Sequence, residues 1–344
     1  MRTVSLVVVG LGSLGRRFCM LLSGKRRHVQ ERFALDLRLV GAADSRGAAY
    51  DPGQGLDPAT VERIKQQGGS VADYPRVGRL GWQAADLIAH AQADALLEAS
   101  PVNLWQGAEP GLTCIRTALE RHMHVVTPNK GPLVVAFDEL HARAARAGVQ
   151  LRFDGSVAGG LPALYIGQRD LRGAIIERLE AVPNLVTGLI LDLLAEGVPW
   201  DQALASAWEE GVLEADGRWD LDGWDAAAKL VILANAVLRW PARLEDVSIT
   251  GVMGVGRDRL LDARARGCTV RLVAQATRLP DGAYRLSVQP RELAPDHPLG
   301  RLGRKAMGIV YETDVYGTIT ALIEEPDPFP SAATMLRDLL DIFV

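Results

Sequence analysis

Short apolar runs alternate with longer stretches of helical spacing through the first part of the chain, up to about residue 153. Such a regular alternation of strand and helix predicts a parallel sheet with helices on both faces. The weakest of these runs lies where the first domain should end. The predicted strands are Val4–Val9, Leu37–Ala43, Ala95–Ala99, His124–Thr127 and Val149–Phe153.

After Gly155 the pattern changes to glycine-rich turns, long helical stretches and segments that alternate like antiparallel strands. Helices are expected over Trp200–Glu210 and Gly223–Leu238, and a mixed second domain follows from the combination. The apolar spacing of Ser331–Phe343 predicts a last helix that folds back against the first domain. The predicted strands are Ser248–Thr250, Thr269–Thr277, Tyr284–Gln289 and Ile309–Thr320.

Composition excludes several classes of function. The 344 residues carry 38 Lys and Arg against 42 Asp and Glu, with both signs mixed along the chain, so nucleic acid and anionic membrane are poor candidates for partners. No apolar run approaches the roughly 18 residues of a membrane span. Three cysteines, Cys19, Cys114 and Cys268, show no C-x-x-C spacing, which argues against disulfides or zinc and favours a cytoplasmic location.

A glycine motif follows the first predicted strand directly. Gly10, Gly12 and Gly15 form G-x-G-x-x-G between that strand and a helical stretch, which is the context in which the motif binds a dinucleotide. The helix start adds partial positive charge for a pyrophosphate. The cofactor-binding candidates at this turn are Gly10, Gly12, Ser13, Leu14 and Gly15.

The second strand ends at Asp44, with Arg46 two residues later. An acid here accepts hydrogen bonds from an adenosine ribose and favours NAD, whereas an arginine pairs with the additional phosphate of NADP. Both are present, so the choice stays open, with a slight preference for NADP because Lys65 offers a second cation. Ser100 and Asn129 complete the candidate cofactor contacts, together with Lys130.

Two lysines are candidates for chemistry. Lys130 follows the fourth strand in a polar turn, at the edge of the sheet where such folds bind ligands. Lys229 lies four residues after Asp225, so the two share one helix face. A surface ion pair has the same spacing, but Lys229 is followed at once by the apolar run Leu230–Ala234, which is typical of a buried helix. A lysine at that position among carboxylates is a candidate proton donor.

Over nearly the whole chain, these residues resemble the homoserine dehydrogenase family. The resemblance rests on six motifs in that family's order, of which the last two are specific and the first is not. The motifs are GLGSLG at Gly10–Gly15, Ala43–Asp57, EPGLT at Glu109–Thr113, VVTPNKGPL at Val125–Leu133, VAGGLP at Val157–Pro162 and EADGRWDLDGWDAAAKL at Glu214–Leu230.

The resemblance implies interconversion of L-homoserine and L-aspartate 4-semialdehyde with NADP or NAD, a step of threonine and methionine biosynthesis. It implies that Lys229 is the acid/base and that Lys130, the family's second lysine, lies beside the nicotinamide. It assigns Glu214 and Asp225 to the substrate's amine and hydroxyl, with Asp220 as a supporting carboxylate.

The resemblance also implies an α/β fold with a Rossmann-type doubly wound parallel sheet and a second α+β domain for catalysis and dimerisation. The expected boundaries are 1–153 for the dinucleotide-binding domain, 154–305 for the catalytic and dimerisation domain, and 306–344 for a segment returning to the first. A homodimer is expected, also because four of the seven tryptophans fall between Trp200 and Trp224. The chain ends without the regulatory domain of longer members, so threonine feedback through it is not expected.

Family members bind a monovalent cation such as Na⁺ through a carboxylate and backbone carbonyls. The matching residues here are Asp154, Val157, Gly159 and Leu161, and the first departs from the family's usual Glu.

Two further segments depart from the family's pattern. Asn184–Ile190 replaces NGTTNYI and loses a Gly-Thr pair of the substrate pocket, and Pro326–Pro330 replaces a Gly-Ala-Gly turn and cannot supply the same N–H donors. Two alternatives therefore stay open: a related NAD(P)-dependent dehydrogenase for another small amino or hydroxy acid, and a non-catalytic NAD(P)-binding paralogue.

Overall fold

A computed structural model describes residues 1–210 and 217–344, and these fold into two compact units. The first unit comprises residues 1–160 and 327–344, and the second comprises residues 161–326. Both breaks lie later in the chain than the boundaries expected at 154 and 306. Residues 306–326 do not return to the first unit, because they form a hairpin that pairs with the sheet of the second.

The first unit contains a sheet of seven described strands in the order β4-β3-β2-β1-β5-β6-β7. From β2 to β7 all neighbours are parallel, and β3 and β4 add an antiparallel edge. The strands are β1 (Arg2–Val9), β2 (Leu35–Ala43), β3 (Gly47–Tyr50), β4 (Gly78–Leu80), β5 (Ala95–Glu98), β6 (His124–Val126) and β7 (Leu151–Arg152).

Helices cover both faces of this sheet. They are α1 (Ser13–Phe33), α2 (Pro58–Gln66), α3 (Ala84–His90), α4 (Gly111–Glu120), α5 (Lys130–Ala147) and the short α6 (Gly155–Ala158). On one face, Phe18 of α1 packs in a cluster with Leu6 and Val8 of β1, while α3, α4 and α5 pack together in a separate layer. Because β1 is buried on both faces, it is a continuous apolar run and not an alternating one.

The second unit contains a sheet of six described strands in the order β13-β12-β8-β10-β11-β9, in which neighbours are antiparallel except β9 and β11. The strands are β8 (Ile176–Val182), β9 (Val247–Ile249), β10 (Thr269–Arg278), β11 (Tyr284–Leu293), β12 (Ala306–Thr313) and β13 (Gly317–Glu324). The helices are α7 (Ala163–Tyr165), α8 (Leu185–Ala195), α9 (Trp200–Glu209), α10 (Arg218–Leu221), α11 (Trp224–Leu233) and α12 (Arg257–Ala265).

The last helix, α13 (Phe329–Phe343), belongs to the first unit. Met335 and Leu339 join the same apolar cluster as α1, which agrees with the helix predicted over Ser331–Phe343. Of the residues that the structure describes, none lies in a helix long and apolar enough to cross a membrane.

Candidate functional site

The glycine turn after β1 is tightly packed at Gly10 and Gly15 and open at Gly12. Gly10 has a φ of +84°, and a Cβ there would lie 2.2 Å from the carbonyl carbon of Ala99. A Cβ on Gly15 would lie 2.0 Å from the carbonyl oxygen of Gly10, whereas one on Gly12 would meet no atom within 4 Å. Only glycine fits the first and third positions, and the open space at Gly12 is where a pyrophosphate can approach the backbone.

The amino end of α1 lies at this turn. Ser13 begins the helix and is exposed, Leu14 is half-buried, and no side chain of the described structure caps the first turn from Gly12. The N–H groups of that turn and their partial positive charge suit an anion. The residues present therefore fit the phosphates of a dinucleotide.

Asp44, directly after β2, is surrounded by donors from its own unit. Its carboxylate accepts the backbone N–H groups of Arg46 and Val71 at 2.9 and 3.0 Å and the Ser70 hydroxyl at 2.8 Å, and it pairs with the Lys65 ammonium at 2.6 Å. Burial raises the pKa of Asp44, but the Lys65 and backbone hydrogen bonds outweigh it and hold the pKa at about 2. The predicted pair Asp44 and Lys65 is thus brought together, as an ion pair.

Arg46 is exposed beside this pair, and its guanidinium donates to the carbonyl of Gly68 at 2.9 Å. The four lone-pair directions of the Asp44 carboxylate are already used by protein donors. This arrangement offers an adenosine ribose little acceptor capacity at Asp44 and keeps a cation, Arg46, at the surface.

A buried polar network joins the carboxyl ends of β5 and β6. Glu98 is fully buried and accepts the backbone N–H and the hydroxyl of Ser100, the former at 2.8 Å, and the Thr127 hydroxyl at 3.1 Å. Thr127 Oγ1 accepts the backbone N–H of Asn129 at 3.0 Å, and the Asn129 amide donates to the carbonyl of Ser100 at 3.3 Å. The structure thus brings together the candidates Ser100 and Asn129.

Lys130 is the first residue of α5 and is half-buried. Asn129 caps this helix, since its side-chain oxygen accepts the backbone N–H of Gly131 at 3.0 Å. The hydrogen-bond network that includes Glu98 therefore reaches Asn129, the residue that precedes Lys130.

A second polar cluster lies in the second unit, around Lys229 on α11. The Lys229 ammonium lies 2.8 Å from a carboxylate oxygen of Asp225 and donates to the carbonyl of Pro183 at 2.6 Å. The Asn184 amide donates at 2.6 Å to Asp225 and at 2.6 Å to Asp220. Lys229 and Asp225 side chains are 12% and 5% exposed, so this is a largely buried charge pair and not a solvated one.

Three of the four predicted residues of the second unit's site are thus joined in one cluster, and Glu214 lies outside the described residues. Sequence reasoning did not assign roles to Glu98, Thr127 or Asn184. The sequence feature that could have indicated a role for Glu98 is the presence of a charged residue within a predicted apolar strand. Asn184 stood only as the first residue of a segment that departs from the family's pattern.

The residues expected to bind a cation do not fit that role in this chain. The Asp154 carboxylate is paired with the guanidinium of Arg337 on α13, and the Gly159 carbonyl accepts the Thr334 hydroxyl at 3.0 Å. No group of three or more metal-binding side chains occurs among the described residues.

Beside this pair, the Asp338 carboxylate accepts the backbone N–H of Asp154 at 3.1 Å. Burial and the Asp154 charge raise the pKa of Asp338 to about 7. Arg337 therefore supplies the positive charge to a pair of buried acids. Val157 is buried on α6, and Leu161 is the first residue of the second unit.

Comparison with known proteins places this geometry in a family. The family model "Homoserine dehydrogenase" matches residues 162–340. A homoserine dehydrogenase of Methanocaldococcus jannaschii is 32% identical over 99% of this chain and 98% of its own. The chain belongs to the homoserine dehydrogenase family.

Two further relatives name cofactors. An NAD(+)-dependent homoserine dehydrogenase of Pseudomonas canavaninivorans is 30% identical over 99% of this chain and 97% of its own. A hyperthermophilic archaeal homoserine dehydrogenase, solved in complex with NADPH, has a TM-score of 0.84 at 25% identity over 99% of this chain and 97% of that one. The predicted α/β fold and the predicted family of nicotinamide-dependent oxidoreductases are confirmed.

Proposed function

We propose that this protein oxidises L-homoserine to L-aspartate 4-semialdehyde with NADP⁺ or NAD⁺, and catalyses the reverse reduction. In the oxidation, the hydroxyl loses a proton to a base, and the carbon bearing it loses a hydride. NADP⁺ or NAD⁺, when bound, would supply the acceptor for that hydride. The observation that carries the proposal is the buried cluster of Lys229, Asp225, Asn184 and Asp220 in a chain of this family.

Lys229 is proposed as the acid/base. A lysine held by Asp225 and the Pro183 carbonyl has a fixed orientation, and partial burial strengthens its interaction with a nearby alkoxide. Glu214 and Asp225 are proposed to bind the substrate's amine and hydroxyl, with Asp220 as a supporting carboxylate. Lys130 is proposed to act on the same substrate oxygen, either polarising it or ordering the proton path.

NADP is proposed as the preferred cofactor, with the phosphates at the glycine turn. Support comes from Asp44, whose carboxylate is taken up by Lys65 and backbone donors, and from the exposed guanidinium of Arg46 beside it. An arginine pairs with a phosphate through two parallel hydrogen bonds. Ser100, Asn129 and Lys130 are proposed to contact the nicotinamide half.

We infer a homodimer in the cytoplasm, acting in threonine and methionine biosynthesis. The tryptophan-rich stretch from Trp200 to Trp224 supports the dimer, and the three cysteines, which form no disulfide, support a reducing compartment.

The test is a spectrophotometric assay of purified protein with L-homoserine and each nicotinamide, read at the absorbance of the reduced cofactor. Formation of reduced cofactor with homoserine, and its loss in Lys229→Ala with cofactor binding intact, is the expected result. Unchanged turnover in Lys229→Ala contradicts the assignment of the acid/base.

The changed segment that begins at Asn184 favours one alternative, a related substrate among small amino and hydroxy acids. In the structure this segment starts α8, and Asn184 both caps that helix and bridges two candidate substrate acids. A panel of such alcohols decides: turnover of another member far above that of homoserine favours the alternative.

A further inference from the structure

Glu98 is a buried carboxylate that the proposed reaction does not use. Its side chain is 0% exposed at the end of β5, and the groups that act on it within the described residues are Ser100, Thr127 and Asn129, none of which is a cation. A buried carboxylate is costly unless several donors stabilise it. Burial raises the pKa of Glu98, although hydrogen bonds from Ser100 and Thr127 oppose the rise.

Each oxygen of Glu98 holds a different chain segment. Oε1 accepts the backbone N–H of Ser100 at 2.8 Å and also the Ser100 hydroxyl, which fixes the loop after β5. Oε2 accepts the Thr127 hydroxyl at 3.1 Å, at the end of β6. One carboxylate thus ties together the carboxyl ends of two adjacent strands, where this kind of fold binds its ligands.

The second layer of this network reaches α5. Thr127 Oγ1 accepts the backbone N–H of Asn129 at 3.0 Å, and the Asn129 side chain accepts the N–H of Gly131 at 3.0 Å. These bonds fix the backbone on both sides of Lys130. Gly111 lies against the network, since a Cβ on it would be 2.6 Å from the Asn129 amide nitrogen and 3.2 Å from Glu98 Oε2.

We propose that Glu98 is a positioning residue for Lys130, acting through Thr127 and Asn129. The inference rests on the proposed function, in which Lys130 acts on the substrate oxygen. Both carboxylate oxygens act as acceptors, since Ser100 donates to Oε1 and Thr127 donates to Oε2. A glutamine of the same size has one acceptor oxygen, and its amide group can only donate. Glu98→Gln therefore removes the negative charge and replaces the acceptor that faces Thr127 with an amide donor, which reverses that hydrogen bond while filling the same volume.

The test compares Glu98→Gln with a matched control, Asp36→Asn. Asp36 is also a buried carboxylate of the first unit, but it lies at the amino end of β2, where it accepts from Gln30 at 2.8 Å and from Arg26 at 3.2 Å. Both variants are expected to lower Tm. Only Glu98→Gln is expected to lower kcat for homoserine oxidation, by about 10- to 100-fold, with a much smaller change in KM for homoserine.

A second variant keeps the inference testable if Glu98→Gln folds poorly. Thr127→Val removes the hydroxyl that joins Glu98 to Asn129 and preserves side-chain volume. It is expected to lower kcat about tenfold, and the double variant is expected to lose no more than Glu98→Gln alone, because both changes break one path.

The outcomes separate this inference from the proposed function. If the unaltered protein does not oxidise homoserine, the proposed function fails. A second outcome concerns Glu98 in a protein that does oxidise homoserine and that loses turnover in Lys130→Met. If Glu98→Gln then keeps a kcat within about twofold of that of Asp36→Asn, Glu98 contributes to stability alone and the inference is overturned.

Discussion

Lys229 differs from an ordinary surface lysine in having two fixed acceptors within its own unit. Asp225 lies on the same helix as Lys229, whereas Pro183 lies far from both in sequence. The Lys229 side chain is only 12% exposed. The i,i+4 spacing allowed the Asp225 pair to be predicted from the sequence. The Pro183 and Asn184 contacts were not predictable, because they depend on where the end of β8 meets α11.

Replacement of Asp225 by asparagine tests the importance of this pairing. We expect Asp225→Asn to lower kcat/KM for homoserine by about 10- to 100-fold, since a hydrogen bond to a charged group contributes roughly 1.5–3 kcal/mol and each 1.4 kcal/mol is about tenfold in rate. Asp222→Asn is the control, because Asp222 is an exposed acid three residues away. Equal kinetics in the two variants contradict a role for Asp225.

Asp44 makes the first unit sensitive to acid. Its folded-state pKa of about 2 lies below the ordinary value near 4, so its stabilisation is fully present above pH 4 or so and is lost as the pH falls toward 2. At pH 7, Asp44→Asn is expected to lower the free energy of unfolding by about 2 kcal/mol, because Lys65 loses its partner.

Denaturant unfolding of Asp44→Asn and the unaltered protein at several pH values measures this effect. The difference in free energy is expected to narrow between about pH 4 and pH 2. A difference that stays constant over this range shows that the Asp44 charge does not contribute.

The strands of the parallel sheet were predictable because burial on both faces makes them continuous apolar runs. Three strands were missed. β3 and β4 are short edge strands, and β8 begins with the charged residues of IERLEAV. The expected strand Ile309–Thr320 is two strands joined by a turn at 314–316, because β12 and β13 form a hairpin.

Alanine substitutions at two glycines of the turn between β1 and α1 are expected to have different effects, one on stability and the other on cofactor binding. Gly10→Ala is expected to destabilise the fold by about 2 kcal/mol or more, because a methyl group cannot fit against Ala99 at positive φ. Gly12→Ala is expected to fold normally and to raise the Kd for NADPH about tenfold, equivalent to about 1.4 kcal/mol.

Gly24→Ala is the matched control for Gly12→Ala, since Gly24 lies in α1, the helix that Gly12 precedes, and a Cβ there also meets nothing within 4 Å. Cofactor fluorescence titration measures the Kd. If Gly12→Ala binds NADPH as tightly as Gly24→Ala, the turn does not hold the phosphates.

The ion pair between Arg337 on α13 and Asp154 predicts that thermal stability does not depend specifically on Na⁺. Because Arg337 already neutralises Asp154, the Tm is expected to be the same in NaCl and in choline chloride of equal ionic strength. Arg337→Ala is expected to cost about 2 kcal/mol, since it removes the guanidinium paired with the buried Asp154 carboxylate.

Arg27→Ala is the control for that loss, because the Arg27 side chain is 89% exposed and its ion pair with Glu31 contributes little. A rise in the Tm of the unaltered protein that is specific to Na⁺ contradicts the view that Arg337 takes the place of the cation.

The two lysines proposed to act in the reaction belong to different compact units of the chain. Lys130 begins α5 in the first unit, and Lys229 lies on α11 in the second. Motif order indicated both lysines and the family. The unit boundaries were less predictable, because neither the continuous buried run of β12 nor the alternating residues of β13 reveal which sheet the hairpin joins.

The most direct test of the account is the kinetic coupling of the two lysines. Lys130→Met, Lys229→Met and the double variant are assayed for homoserine oxidation at saturating substrate and cofactor, with NADPH affinity measured in parallel. Each single variant is expected to lose about 10²- to 10⁴-fold in kcat, and the double variant far less than the product of the two losses, because both groups serve one step. A double variant whose loss equals that product, or single variants with unchanged kcat, contradicts the account.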